Sequence, residues 1–250
     1  MDRALYIAMS GAKQNVLGQT AHANNLANAN TTGFRSDFNQ SRAQPVFGDY
    51  FPTRAFAMAE RPASEFKQGP LKETGRSLDV TIQHAGWFAV QAPDGQEAYT
   101  RAGDLSVNAQ GQLVNGRGLQ LIGAGGPIVV PPYESIEVGN DGTITIRPAG
   151  EGPEALVQLT QLRMVNPDPQ TLEKGTDGLF RVRDRQPEDP LPNIDPEITL
   201  VNGFLEGSNV NAVNELTSVL ALNRQYEMQV KLMKKVDENA ASTTQLLSAQ

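Results

Sequence analysis

The sequence predicts an α+β fold: an irregular all-β domain inserted between N- and C-terminal helices that pair as a coiled-coil-like module. Three observations carry this. Apolar residues at each end recur at alternating spacings of three and four. From Leu78 to about Leu200 the pattern changes to short period-two runs divided by turn signals. Between these regimes, Pro45, Pro52, Pro62 and Pro70 punctuate a stretch with neither period.

The first helix is carried by Leu5, Met9, Ala12, Val16, Gln19, Ala23 and Leu26, a heptad seam interrupted by small Ala and polar Gln. It stops at Asn28-Ala29-Asn30-Thr31-Thr32-Gly33, where turn formers precede a Gly able to take positive φ. The last helix is the stronger case. Leu216, Val219, Asn223, Tyr226, Val230, Met233, Asp237 and Ala240 keep the spacing, with Leu247 beyond, and no Pro or Gly occurs from Ser208 to Gln250. Asn209 or Asn211 can cap its start. A helix from about residue 210 to 247 would be roughly 57 Å long. Such a helix needs another helix to cover its seam. Side by side, each seam half-covers the other and leaves apolar surface for neighbouring chains.

The expected divisions are 1–33 for the first helix, 34–77 for an extended connector with isolated aromatics Phe47, Tyr50, Phe51 and Phe56, 78–200 for the β domain, and 201–250 for a return segment and the long helix. Strands are expected at Leu78–Ile82, Trp87–Val90, Leu119–Ile122, Ile128–Val130, Thr143–Ile146 and Leu156–Leu159, with turns at Asp94-Gly95, Gln110-Gly111, Asn115-Gly116 and Asp141-Gly142. The strands suit an irregular sandwich or a partly open barrel. The Pro-rich stretch from Arg185 to Pro196 reads as a surface loop.

Composition narrows the function classes. The net charge of −7 argues against nucleic acid, whose phosphates need clustered Lys and Arg. Aromatic content of 6% points to a small globular part with peripheral segments. The absence of Cys removes disulfides, thiolate metal sites and thiol nucleophiles. No apolar run reaches the roughly 20 residues that span a bilayer, so the chain is expected not to cross a membrane. Met1 to Ser10 lacks the apolar run of a cleavable secretory signal.

No chemistry stands out. His22 lies beside the first seam and His84 in a turn, without further ligands at metal spacing. Gly123-Ala124-Gly125-Gly126 is followed by Pro127 and a β run rather than by a helix, so it reads as a tight turn and not a phosphate loop. Glu60, Glu65, Glu73, Asp79 and Glu97 could offer a carboxylate pair for glycan hydrolysis, but scattered carboxylates are usually solvated surface. The Ser residues have no partnered His in a recognisable motif. No catalytic, cofactor or metal residue is assigned. Gln19, Asn223 and Asp237 within the seams suit residues that fix register and partner choice.

Three stretches resemble the flagellar basal-body rod and hook proteins: Ala23-Asn24-Asn25-Leu26-Ala27-Asn28 through Arg35; Leu78-Asp79-Val80-Thr81-Ile82 with Gly86-Trp87-Phe88, Tyr99-Thr100-Arg101-Ala102-Gly103 and Gly111-Gln112-Leu113-Val114; and Gly207-Ser208-Asn209-Val210-Asn211 with Arg224-Gln225-Tyr226-Glu227-Met228. The opening Met1 to Gly11, Trp87 where distal-rod and hook members show Phe, and a short connector resemble the proximal-rod branch. The resemblance implies a non-enzymatic subunit of the periplasmic rod that carries torque, exported unfolded through the flagellar type III apparatus. It implies terminal helices in the inner tube and a β domain outside. The implied partners are its own copies, the distal-rod protein, other proximal-rod proteins and the export apparatus. The expected subunit-interface residues are Leu5, Met9, Ala12, Val16, Ala23, Asn25 and Leu26 on the first helix, and Leu216, Val219, Asn223, Tyr226, Val230 and Met233 on the last.

Overall fold

Straight-chain and small residues without an internal Pro make both chain ends helical. A computed structural model describes residues 2–38, 41–47, 52–59, 63–150, 155–185, 192 and 194–248. Helix α1 spans Asp2–Ala27 and helix α2 spans Ala212–Ser248. The turn formers after Ala27 end α1 as expected, and Gly33 takes φ +66°. The chain separates into two compact units: Met1–Ala29, Ser36–Glu65 and Val210–Gln250 form one, and Asn30–Arg35 with Phe66–Asn209 form the other.

In the helical unit α1 and α2 pack together, joined by short strands. Part of the stretch expected to be a plain extended connector is a β-hairpin: Ser41–Phe47 pairs antiparallel with Pro52–Ala59. Asp37–Phe38 pairs with Ala63–Ser64. The Pro residues misled the reading, because Pro45 sits inside a two-stranded ribbon, where a missing donor is tolerated. Tyr50, Phe51 and Pro62 lie outside the described residues, as does most of the loop from Arg185 to Pro196.

The second unit is mainly β, with one short 3-10 turn at Pro169–Thr171. Its centre is a five-stranded antiparallel sheet in the order Met164–Val165, Trp87–Gln91, Glu97–Thr100, Phe180–Val182, Leu172–Lys174. The period-two rule puts neighbouring side chains on opposite faces, and here both faces are covered. Phe88 and Val90 join a large core with Leu105, Leu113, Leu121, Ile144 and Ile146. Trp87 and Ala89 join a second one with Tyr99, Val165 and Phe180. In that smaller core the Trp87 and Phe180 rings are 4.6 Å apart between centroids, and Phe66 meets Trp87 edge-on at 6.0 Å. A three-stranded sheet, Tyr133–Val138, Thr143–Pro148 and Val157–Gln161, adds Ile136, Val138, Ile144 and Ile146 to the large core.

Residues 119–121 and 128–130, expected as strands, belong to no ladder. Ile128 N–H donates to Leu121 O and Val130 N–H to Gly111 O, two different segments. Pro127 and Pro131 on either side explain this, since neither can donate to a continuing ladder.

A buried charge cluster holds the second unit where the chain enters and leaves it. Arg35 and Glu206, each 1% exposed, form an ion pair, and Arg101 Nε lies 3.7 Å from the other Glu206 oxygen. Gly69 N–H donates to Glu206 Oε1 at 3.1 Å. Arg101 also donates to Ile82 O and His84 O, and both guanidiniums lie within 6 Å of the Trp87 ring, at 5.9 and 5.8 Å. Burial pulls the Arg101 guanidinium down to about 10, with Glu206 opposing the shift and Arg35 adding to it, so it stays charged at neutral pH. Alongside, Gly33 N–H donates to Glu206 O at 2.8 Å. A Cβ on Gly33 would strike the Arg101 carbonyl and the Ala102 nitrogen.

Replacing Glu206 by Gln leaves two buried guanidiniums with no counter-charge. The expected loss is about 3–5 kcal/mol of β-unit stability, read by chemical denaturation with Trp87 fluorescence. Gly33→Ala is expected to lose about 1–3 kcal/mol in the same assay, from strain at positive φ.

Candidate assembly surface

The two helices run antiparallel. A Cβ on Gly11 would meet Gln229 Nε2 at 3.1 Å, one on Gly18 would meet Leu222 Cδ1 at 3.0 Å, and His22 Nδ1 is 2.5 Å from Glu215 Oε2. Rising numbers on α1 therefore meet falling numbers on α2. Both Gly positions lack room for a side chain, which allows a close approach of the helices. Ala8, Gly11, Asn15, Gly18, His22 and Asn25 recur at three and four and form this inner face, with Ala8, Gly18 and Asn25 buried. From α2 it meets Glu215, Val219, Leu222, Gln229, Met233, Val236 and Ala240, which are half-buried.

Polar ties close one end of the pair. Asn211 caps α2, its Oδ1 accepting from Val213 N–H at 3.1 Å and Asn214 N–H at 3.2 Å. Asn25 donates to Asp37 O at 2.9 Å and accepts from Asp37 N–H at 2.7 Å, with a longer contact to Glu215 Oε1 at 3.4 Å. Asn24 donates to Asp37 Oδ2 at 2.7 Å. These bonds explain the run of Asn at the end of α1: each short amide stitches the helix to the segment that follows it.

The expected seams lie partly elsewhere on the helices. On α1, Leu5, Met9, Val16 and Ala23 are exposed, Met9 by 52%. They sit about 100° round the helix from the inner face. On α2, Leu216 (49%), Asn223, Tyr226 and Val230 are exposed next to Val213 and Leu220. Val219, Met233 and Leu26 are half-buried, and Ala12 and Asn25 are buried within this chain. The seams thus cover one another only in part: Val219 and Met233 lie on the inner face, while Leu5, Met9, Val16, Leu216 and Val230 stay exposed. Gln19 is half-buried and its Nε2 has no hydrogen-bond partner among the described residues. Asp237 is exposed.

The helices also differ in length. With 26 and 37 residues they measure about 39 and 55 Å. In the register set by Gly11 and Gly18, α2 from about residue 239 runs past the start of α1, and Ala241 to Gln245 are exposed. An open cleft of about 370 Å³ lies between α1, α2 and the hairpin, floored by Gly11 and Gly18 and edged by Gln14, Gln225 and Gln229.

Among the described residues no group of three or more His, Asp or Glu could hold a metal ion, and no helix is long and apolar enough to cross a membrane.

Comparison with known proteins agrees with this division of the chain. The model for "Flagella basal body rod protein" matches residues 5–35, that for "Flagellar hook protein FlgE/F/G D1 domain" residues 81–146, and that for "Flagellar basal body rod FlgEFG protein C-terminal" residues 201–246. The chain is 40% identical over 250 residues to the flagellar basal-body rod protein FlgF of Escherichia coli (strain K12), covering 99% of both chains. It belongs to the flagellar basal-body rod protein family. Identity to the FlgF of Salmonella typhimurium is 42%, again over 99% of both chains. To the FlgG of Agrobacterium fabrum it is 33% over 263 residues, covering 96% and 97%. This rod-family chain is a structural subunit of the flagellar basal body. The first and last matched regions hold α1 with Arg35, and Glu206 with α2, so both partners of the buried ion pair fall inside family-defining segments.

Asn211→Ala is expected to cost about 1 kcal/mol at the start of α2. Gly18→Leu, which puts a side chain where Leu222 now lies, is expected to separate the helices. Far-ultraviolet circular dichroism should show a small loss of helix for the first and a larger one for the second, with the Trp87 signal of the β unit unchanged.

Proposed function

We propose that this chain polymerises through the outward faces of α1 and α2 into the proximal rod, the periplasmic shaft that transmits motor torque. The observation that carries this reading is the exposed seam. Leu5, Met9 and Val16 on α1, and Leu216, Tyr226 and Val230 on α2, are apolar, heptad-spaced and uncovered, although the helices are already paired. Fully burying such a side chain is worth about 1.5–3 kcal/mol, so neighbouring helices would gain several contacts of that size. A face on one copy that meets a different face on the next gives a non-closing, helical array.

In this reading the partners are further copies, other proximal-rod proteins and, at one end, the distal-rod protein. The helical unit is the polymerising part, and the chain reaches the periplasm unfolded through the flagellar export apparatus. Asn223 on the outer face fixes register between neighbours. The role is mechanical rather than enzymatic.

Val230→Asp and Tyr226→Asp place a charge at the centre of this surface. Each is expected to abolish rod assembly and swimming, and to raise the concentration needed for polymerisation of the purified chain at least ~10-fold. The β unit should melt as in the unchanged protein. Normal motility of both variants would contradict the reading, and a β unit that unfolds with them would show that the helices contribute to its core.

A further inference from the structure

The β unit buries a second group of charges, away from the Arg35–Glu206 pair. Asp79 and Asp104 are directly opposite each other in an antiparallel bridge. Such partners point to the same side, with Cβ atoms about 4.5–5.5 Å apart. Asp79 is 1% exposed. The Oδ1 atoms of both Asp79 and Asp104 are out of contact with solvent and accept no hydrogen bond. The backbone around them is fully committed: Gly203 N–H donates to Asp79 O, and Leu105 N–H to Leu78 O. Gly116 leaves no space, since a Cβ there would strike Asp104 Oδ2.

Among the described residues, the cation that faces the pair is Arg76. Its Nη1 lies 3.5 Å from Asp79 Oδ1 and its Nη2 donates to Leu105 O at 3.1 Å. The Arg76 side chain is 60% exposed, so water screens it. Arg117, next to Gly116, turns instead to Asp177 O at 2.5 Å. From the Gly116 side Asp104 receives only a backbone N–H.

We infer that Asp104, facing Asp79, takes up a proton, and that this makes the β unit more stable as the pH falls from neutrality. Two carboxylates facing each other across a bridge, one buried and one half-buried, do not both ionise without cost. A proton taken from solvent by Asp104 removes the charge that faces Asp79. Burial first, then the Asp79 charge, push the Asp104 carboxyl above the usual range, against the backbone N–H groups and Arg76. Because this group binds its proton more tightly folded than unfolded, its contribution is present at low pH. That contribution is lost as the pH rises from the ordinary Asp value through the raised one. Asp141 behaves in the opposite sense: the Thr143 hydroxyl and amide hold it below the usual range.

The test is a carboxyl-carbon NMR titration of the full-length chain with thermal melts of the unchanged protein, Asp104→Asn and Asp79→Asn. One resonance, missing in Asp104→Asn, should titrate above the other aspartates, and Asp79→Asn should move it down. At about pH 7 Asp104→Asn should melt above the unchanged protein, and the gap should close on acidification. An Asp104 resonance within the ordinary carboxylate range in the unchanged protein would overturn the inference, as would no movement in Asp79→Asn. If Asp104→Asn folds poorly, the Asp79→Asn titration still decides.

Discussion

One buried carboxylate, Glu206, holds the points at which the chain passes between the two units. It lies between Arg35, just after the turn that ends α1, and Arg101 at the end of a central strand. Taking three ions out of water costs several kcal/mol apiece before their attraction is counted. The cluster offsets this with short-range pairing, a backbone donor from Gly69, carbonyl acceptors at Ile82 and His84, and the face of Trp87. Against a packed apolar alternative such a cluster is a poor source of stability. Its value is positional: the cluster ties Arg35, Gly69, Arg101 and Glu206 together across four distant segments of the chain. The Gly33 bond to Glu206 O and the pairing of Phe204–Glu206 with Leu71–Glu73 follow from it. So does the close passage of Asn209 to Phe34 O, just before α2 begins.

Within the helical unit the two helices form an antiparallel pair. The faces they use inward are chosen by size. Gly11, Gly18 and Ala8 let the backbones approach, and His22–Glu215 and Asn25–Asp37 fix the register with directional bonds. A pair built from Leu and Val would bury more area, yet would leave nothing apolar for a neighbour. Each helix here carries two functional faces about 100° apart, one closed within the chain and one left for other chains.

Much of this was legible in the residues, for stated reasons. Helix limits followed from Pro-free runs, Asn211 as a cap and the Thr31-Thr32-Gly33 stop. The central strand from Trp87 followed from apolar alternation, and the turns from Asp-Gly and Asn-Gly pairs. Other features were not legible. A heptad seam shows that a face will be covered, not by which chain, so the seams were assigned to each other while the small-residue face went unread. A signal for that face was present in Gly11 and Gly18, seven residues apart on α1. The hairpin of residues 41–59 was hidden by its Pro residues and by alternation too weak to exceed that of a loop. Arg35, Arg101 and Glu206 are separated by up to 171 residues, and no local pattern joins them.

The two units draw stability from different sources, and this is what the mechanical role requires. The β unit rests on a sheet covered on both faces, with Phe88 and Val90 on one side and Trp87 and Ala89 on the other. It can be complete in a single chain. In the helical unit α1 turns Ala, Gly, Asn and His toward the half-buried Val219, Leu222, Met233 and Val236 of α2, and its two-stranded hairpin is a form that is marginal alone. Its remaining stabilisation must come from the exposed leucines, valines and Tyr226 when other helices cover them. In the proposed assembly, contact energy kept for neighbours would make ordering of the ends depend on polymerisation.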